Sequence, residues 1–401
     1  NEYECAVVGL GVSGLCTMHS LAKRGATCIG LEQYPGGSWE GSSKGPSRIT
    51  RQAYFFDPLA YIPLVQNSIK LWKEIEELSG TKIYLRTGVI FWDDRFNGKN
   101  NLGVITCSNR YNFEYEILKK EEQHIREPFF DVKDPNYYAV IEKEAGVILA
   151  DKAQAALVKI LKEKYSEIAT LKYDTKIVDI QRCKDSTTNT DHYIIVSSNN
   201  EKIKARSLVL NPGPWIINFF DMFPSLLPYR SKIKIETALV FHIKFKDEAR
   251  NKLLTKPFYV SFPRYHIYGF PDLEDGNYIK LGIFHYYTKD NLDFERTENW
   301  DPENFNMFVS IAKDFIKDFT QDSFEIVFFN RCNFTMTKDE HYIMDKIPSE
   351  KNAYIISACS GHGFKFSTTI GEHVANLVLK NEFPYEKFKL NRFDKISTIK
   401  F

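Results

Sequence analysis

Near the start of the chain Gly9, Gly11 and Gly14 enclose Val12 and Ser13, and an acid, Glu32, follows further on. Placed after a strand and before a helix, such a run binds a dinucleotide. Gly9 permits the tight turn, Gly11 lets backbone approach a pyrophosphate, and Gly14 lets helix and strand pack closely. The helix N-terminus offers unpaired N–H groups and a positive partial charge to the phosphates. Glu32 would accept hydrogen bonds from the ribose hydroxyls. A generic glycine turn followed by a surface Glu has the same spelling.

Three more clusters carry reactive or charged groups. Ser360-Gly361-His362-Gly363-Phe364-Lys365-Phe366 places two glycines and one cation between a strand-like and a helix-like run. It suits backbone N–H groups exposed beside a ligand, and equally a strand-to-helix turn with a surface Lys. The run from Gly41 to Arg51 holds Arg48 and Arg51, three apart, which would share a face if that turn is helical. Two guanidinium groups suit carboxylate or phosphate capture, although by spacing alone they read first as solvated arginines. Arg331-Cys332-Asn333-Phe334-Thr335-Met336-Thr337 holds a single Cys, a residue that is usually a small buried hydrophobe.

The elements that must position these groups follow from periodicity. Strands over 4–8 and 27–31, with a helix over 15–23 between them, form a β-α-β unit with a parallel crossover. Helices are expected over 61–78, 152–164, 302–319 and 369–380. Strands are expected over 175–180, 193–196, 208–210, 237–245, 258–262, 267–270, 278–285 and 354–357. Residues 35–47 read as a loop, and 83–143 as short strand-like runs among charged stretches. Nucleotide-domain features recur at the start, middle and end, with β-rich stretches between them. This predicts a discontinuous α/β protein with α+β elements: a Rossmann-like domain from 1–84, 144–221 and 325–390, an interleaved, mainly antiparallel β-sheet domain from 85–143 and 222–324, and a tail over 391–401.

The 401 residues are long enough for two such domains. A net charge of +1 gives no electrostatic reason for nucleic acid or an acidic membrane surface. No run of 18 apolar residues predicts a membrane span. The 31 Phe and 22 Tyr allow an aromatic-lined pocket. Seven scattered cysteines without a CxxC pair argue against a disulfide framework or structural zinc, and suit a reducing compartment. No metal site is expected.

Taken together and in order, the four clusters resemble the monomeric sarcosine oxidase family, which includes peroxisomal sarcosine and pipecolate oxidases. Ser360 to Ser367 is similar to that family's flavin-and-substrate loop, and Ser47-Arg48-Ile49-Thr50-Arg51-Gln52-Ala53-Tyr54 to its Arg-rich segment. Leu31-Glu32-Gln33 with Gly41-Ser42-Ser43 resembles the peroxisomal branch. Cys332, followed by Asp339-Glu340-His341, is similar to the segment bearing covalent flavin. Tyr268-Gly269-Phe270-Pro271 and Lys280-Leu281-Gly282 also fit.

The resemblance implies a Rossmann-like FAD-binding fold and oxidation of a secondary amino acid such as sarcosine or pipecolate. Hydride would pass from the carbon next to nitrogen to the flavin, and O2 would be reduced to H2O2. It implies a cofactor site of Gly9, Gly11, Val12, Ser13, Gly14, Glu32, Gln33, Ser42, Ser47, Arg48, Gly213, Cys332, Gly361, His362, Gly363, Phe364 and Lys365, with backbone near Ile177 at the adenine end. Cys332 would carry FAD through a thioether. Around the reaction it implies Lys280, Arg48, Arg51, Lys365, His285 and Tyr268, with Arg51 and Lys365 on the substrate carboxylate and Lys280 assisting oxygen. The partners expected are an amino acid with a carboxylate and O2, without nucleic acid or membrane, for a soluble intracellular monomer of peroxisome or cytoplasm, although the chain ends Ile399-Lys400-Phe401 rather than Ser-Lys-Leu.

The family commonly has His four residues after that Lys. Here Phe284 stands there, and His285 one further on. One step along a strand reverses the face, so either a bulge brings His285 in or the pocket lacks that group. Phe334 replaces a frequent Tyr, and Ser43 and Lys44 a His pair. Alternatives on the same scaffold are a flavin dehydrogenase, a biosynthetic imino-acid oxidase, or a flavin-binding protein without turnover.

Overall fold

The computed structural model describes residues 2–38, 40–96, 98–184, 191–261, 266–284, 302–357, 359–382 and 385–396. Three sheets organise them. The first contains the expected β-α-β unit. Strand Glu2–Val8 runs parallel to Cys28–Leu31 on one side and to Lys202–Leu210 on the other. Pairing on both edges and covering of both faces explain why Cys5 to Val8 is apolar without alternation. Ala169–Lys172 extends one side in parallel, and the antiparallel pair Ile177–Lys184 and Asp191–Ser197 the other. Ala353–Ser357 joins Lys202–Leu210 in parallel and pairs antiparallel with Ile343–Lys346.

Helices Val12–Lys23, Pro58–Ser79, Ala150–Glu163 and Ser367–Lys380 pack together beside this sheet, burying Leu15, Trp72, Leu157 and Ile370 in one core. Pro58 sits in the first turn of its helix, where its missing N–H is harmless, and Gly80 ends that helix at φ 69°. A short sheet of Ser47–Thr50, Gly146–Leu149 and Tyr84–Leu85 adjoins.

The second large sheet has eight strands in the order Phe324–Met336, Lys234–Phe245, Ile279–Phe284, His266–Pro271, Phe258–Ser261, Val89–Asp94, Tyr137–Glu142 and Tyr115–Leu118. All pairs are antiparallel except Phe258–Ser261 with Val89–Asp94. Its other face buries a Phe-rich core that includes Phe241, Phe258, Phe308 and Phe315.

Several local expectations differ from the structure. The helix expected over 302–319 ends at Ala312, because Phe315 and Ile316 enter the Phe-rich core and Ile316 bridges to Phe130. The stretch 83–143 contains helices Asn100–Tyr111 and Lys120–Arg126. Cys332 lies in a 13-residue strand, Phe324–Met336, that the sequence reading did not mark. As an edge strand it has no clean alternation, with Val327 and Phe328 exposed. That strand pairs along its length with Lys234–Phe245, so we propose moving the domain division from 325 to just after Met336.

Where helices Val12–Lys23 and Ser367–Lys380 cross, a Cβ on Gly371 would lie 2.5 Å from the Cys16 carbonyl carbon. Backbone cannot yield as a flexible side chain does. Gly371→Ala is expected to cost about 1–3 kcal/mol, as overpacking does, measured by urea unfolding of the apoprotein. An unchanged midpoint would show that the crossing is loose.

Candidate active site

A cavity of about 800 Å³ is walled by the glycine turn, the Gly41–Arg51 segment, the face of the second sheet and the Ser360–Lys365 loop. Hydrogen-bond register builds the sheet wall. Asn330 pairs with Val240, Val240 with Gly282, Gly282 with Tyr268, Tyr268 with Tyr259, and Tyr259 with Phe91. Directly paired residues project to one face, so this row crosses the sheet as one surface. A neighbouring row is His242, Lys280 and Phe270. A Cβ on Gly282 would lie 2.3 Å from the Tyr268 ring, so the missing side chain is what lets that ring lie across the strand.

At the glycine turn the residues fit a dinucleotide. Gly9 has φ +96°, and a Cβ there would meet the Asn211 carbonyl oxygen at 2.3 Å. A Cβ on Gly14 would lie 2.0 Å from the Gly9 oxygen. Helix Val12–Lys23 has no side-chain cap from its own first residue; the Ser43 hydroxyl accepts from the Val12 N–H at 3.0 Å. The Glu32 carboxylate accepts from the N–H groups of Leu10 at 2.9 Å and Tyr34 at 3.2 Å. Burial raises its pKa despite those bonds. The Asn211 side-chain nitrogen is buried with no partner among the described residues, a donor left for a ligand. Gln33, Val12, Ser13, Ile177 and Gly213 also line the cavity.

Arg48, Arg51, Lys280 and Lys365 are among the basic residues that line the same space. Arg48 and Arg51 do not share a helical turn: Ser47–Thr50 is a strand against Gly146–Leu149, and Arg51 follows its end. The Arg48 guanidinium donates to the carbonyls of Ser42 and Ser47 at 2.8 Å and of Lys44 at 2.6 Å, so it braces the loop. It also lies over the Phe364 ring at 5.4 Å. Arg51 is boxed by aromatic rings, 4.6 Å from Tyr54, 4.9 Å from Phe55 and 5.8 Å from Phe91. Lys280 is only 5% exposed; its ammonium donates to the Ser47 carbonyl at 2.7 Å and sits 4.5 Å from the Phe270 ring. It does not snorkel to solvent. Lys365 donates to the His362 carbonyl at 2.8 Å. Burial, then nearby arginines, pushes both ammonium groups well below the usual Lys range.

Cys332 is buried on this wall, with Ser42 Oγ bonded to the neighbouring Asn333 carbonyl. Tyr268 is held protonated by burial and by the Cys332 sulfur. Gly361, His362, Gly363 and Phe364 line the cavity, whereas His285 lies outside the described residues.

Sequence reasoning missed four residues that the fold brings here: Tyr54, Glu340, Asn330 and His242. Tyr54 and Glu340 stood inside quoted motifs, but nothing local aimed them. His362 Nε2 donates to the Glu340 carbonyl at 3.0 Å, so its Nδ1 accepts from the Tyr54 hydroxyl at 2.7 Å. Burial, with Lys365 nearby, lowers the His362 pKa to about 3. His242 is fully buried, stacked on Phe328 at 3.8 Å, and receives the Asn330 amide at Nε2 over 3.3 Å. Its proton therefore resides on Nδ1.

Residues 4–377 match the model of the FAD dependent oxidoreductase family. The chain is 26% identical to a monomeric sarcosine oxidase of Bacillus sp. (strain B-0618), over 98% of this chain and 96% of that protein. It is also 26% identical to the Homo sapiens peroxisomal sarcosine oxidase, over 98% and 97%, so identity does not separate the bacterial and peroxisomal branches. Among solved structures, NikD, described as an unusual amino acid oxidase essential for nikkomycin biosynthesis, superposes with a TM-score of 0.79 at 18% identity over 96% of each chain. An L-proline dehydrogenase from P. horikoshii does so with 0.77 at 20% over 98% of each.

Burial, then Lys280 and Arg48, lowers the His242 pKa from 6.5 to about 2. Between those values the unfolded chain holds the extra proton, so stability falls as pH drops below 6.5, by up to about 1.4 kcal/mol per unit. His242→Phe keeps the stack and removes the titration. Urea unfolding of the apoprotein at pH 6.5 and 5 is expected to show the variant about 2 kcal/mol less acid-sensitive than the parent. Equal sensitivity would remove His242 from the acid response.

Proposed function

Because the chain belongs to the FAD dependent oxidoreductase family and is an amine oxidoreductase by its kinship to sarcosine oxidases, we propose that it oxidises a secondary amino acid, with O2 as acceptor and H2O2 as a product. The observation that carries this reading is the pair Arg51 and Lys365, one half-buried and one buried cation on one cavity. A carboxylate bound there would restore the charge balance that burial disturbs, and would fix the adjacent C–H bond in place. The aromatic box around Arg51 holds its plane and keeps water from competing for it.

FAD, when bound, supplies the acceptor for the hydride leaving the carbon next to nitrogen. Cys332 would hold it as a thioether, with the glycine turn on its pyrophosphate and Glu32 on its ribose. Lys280 would stabilise negative charge developing on oxygen, as a preorganised cation in a dry site does. Arg48 keeps the loop that carries the Lys280 acceptor in position. The imine product would then hydrolyse or cyclise.

The test of this reading separates the two half-reactions. Arg51→Ala should weaken carboxylate substrates by about 2–4 kcal/mol, the scale for truncating one partner of a buried charged hydrogen bond. Lys280→Met should leave anaerobic flavin reduction within about tenfold of the parent and slow reoxidation in air by at least about 10²-fold. Equal slowing of both by Lys280→Met would make that residue structural. Unchanged carboxylate affinity in Arg51→Ala would move the substrate elsewhere.

Covalent attachment has its own outcome. Acid-precipitated protein should retain its yellow colour and carry the mass of FAD, and Cys332→Ser should release FAD to the supernatant. Colour in the supernatant of the parent would rule out the link.

A further inference from the structure

We propose that the cavity binds its amino acid as a zwitterion, with the Glu340 carboxylate on the cationic nitrogen while Arg51 and Lys365 hold the carboxylate. The proposal deepens the preceding reading and rests on it: hydride leaves only after the nitrogen has passed one proton to the Glu340 carboxylate, which frees the lone pair that forms the imine. It starts from one imidazole. The His362 carbonyl accepts from the Lys365 ammonium at 2.8 Å, its Nε2 donates to the Glu340 carbonyl at 3.0 Å, and its Nδ1 accepts from Tyr54 at 2.7 Å. The residue that tethers the cation therefore also tethers the backbone of the acid, and both residues line the cavity.

Glu340 takes φ +55°, an uncommon conformation for a side chain of this kind. Its N–H closes a turn on the Thr337 carbonyl at 3.1 Å. Its neighbour Asp339 is bound to Arg392 at 2.8 Å, whereas no described cation pairs with the Glu340 carboxylate. Arg51 favours and Glu340 disfavours the phenolates of both Tyr54 and Tyr259, which places the two opposite charges around the same pair of rings. An acid and a guanidinium in one low-dielectric space attract strongly. With Lys365 and the Glu340 backbone both fixed by His362, and Arg51 fixed by its aromatic rings, the charges form a dipole that a molecule of the opposite polarity would fill. Burial and Asp339 raise the Glu340 pKa, so a cation is what would keep the group ionised.

The probe pair is trimethylglycine and 3,3-dimethylbutyrate, which share shape and carboxylate and differ in one positive charge. Each is titrated into the holoprotein, with binding read from the flavin absorbance and from tryptophan fluorescence. The parent should prefer trimethylglycine by at least about tenfold. Glu340→Gln should abolish that preference by weakening trimethylglycine alone, and Glu340→Asp should retain part of it. A parent that binds both equally or prefers the neutral acid, or a Glu340→Gln variant that keeps the preference, overturns the proposal. Failure of the carboxylate clamp gives a different result: Arg51→Ala would then leave the affinity for 3,3-dimethylbutyrate unchanged.

Discussion

The carbonyl oxygen of Ser47 accepts from two cations, Lys280 at 2.7 Å and Arg48 at 2.8 Å. Most of the site depends on that oxygen. An ammonium removed from water loses several hydration partners, and here one carbonyl and one aromatic face replace them. The strand Ser47–Thr50 fixes the oxygen through its pairing with Gly146–Leu149. The same segment reaches the glycine turn, where Ser43 caps the Val12 N–H, and reaches the Cys332 strand, where Ser42 bonds to the Asn333 carbonyl. A shift of this segment would move the dinucleotide end and the reaction end together. Arg48, with its three carbonyl acceptors, keeps it from shifting.

The two large sheets contribute different things because their geometry differs. The parallel sheet ends its first strand at a glycine turn and a helix N-terminus, which present N–H groups and partial positive charge. The antiparallel strands near Cys332 present a broad face from which alternate residues, such as Asn330 and Cys332 or Val240 and His242, line the cavity. Distant segments thereby become neighbours: Cys332 and Asn330 come from one strand, His242 from the next, and Lys280 from the third.

Much of this was legible in the residues. The β-α-β unit announced itself because strand, turn, helix and acid are local and each has its own signature. Lys280 stood out because a Lys between Ile279 and Leu281 needs a partner. The Cys332 strand was not legible, since an edge strand need bury only part of one face. Whether Arg48 and Arg51 share a helical turn was open in the residues, because the backbone of Ser47–Thr50 is set by pairing with Gly146–Leu149, far along the chain. His242 gave no signal, because a lone His in an apolar strand looks like any core residue until register sets it opposite Lys280. Glu340 was visible as a letter in a motif, but only the bond from His362 shows where its chain is held.

The electrostatics of the cavity then follow from burial. Arg48, Arg51, Lys280, Lys365, His242 and His362 are among the groups that line it. Burial leaves His242 and His362 neutral and pushes Lys280 and Lys365 toward neutrality, which limits the positive charge around the cavity. A carboxylate bound beside Lys365, as proposed, would reverse the balance there: the lysine would regain a proton and gain a partner at the same moment, and the attraction would grow as the ligand entered. A neutral ligand of the same shape gains none of this. On that proposal a preference for an anionic group would follow from the depressed Lys365 itself, and the separate acid on Glu340 would make the environment polar in both senses rather than uniformly positive.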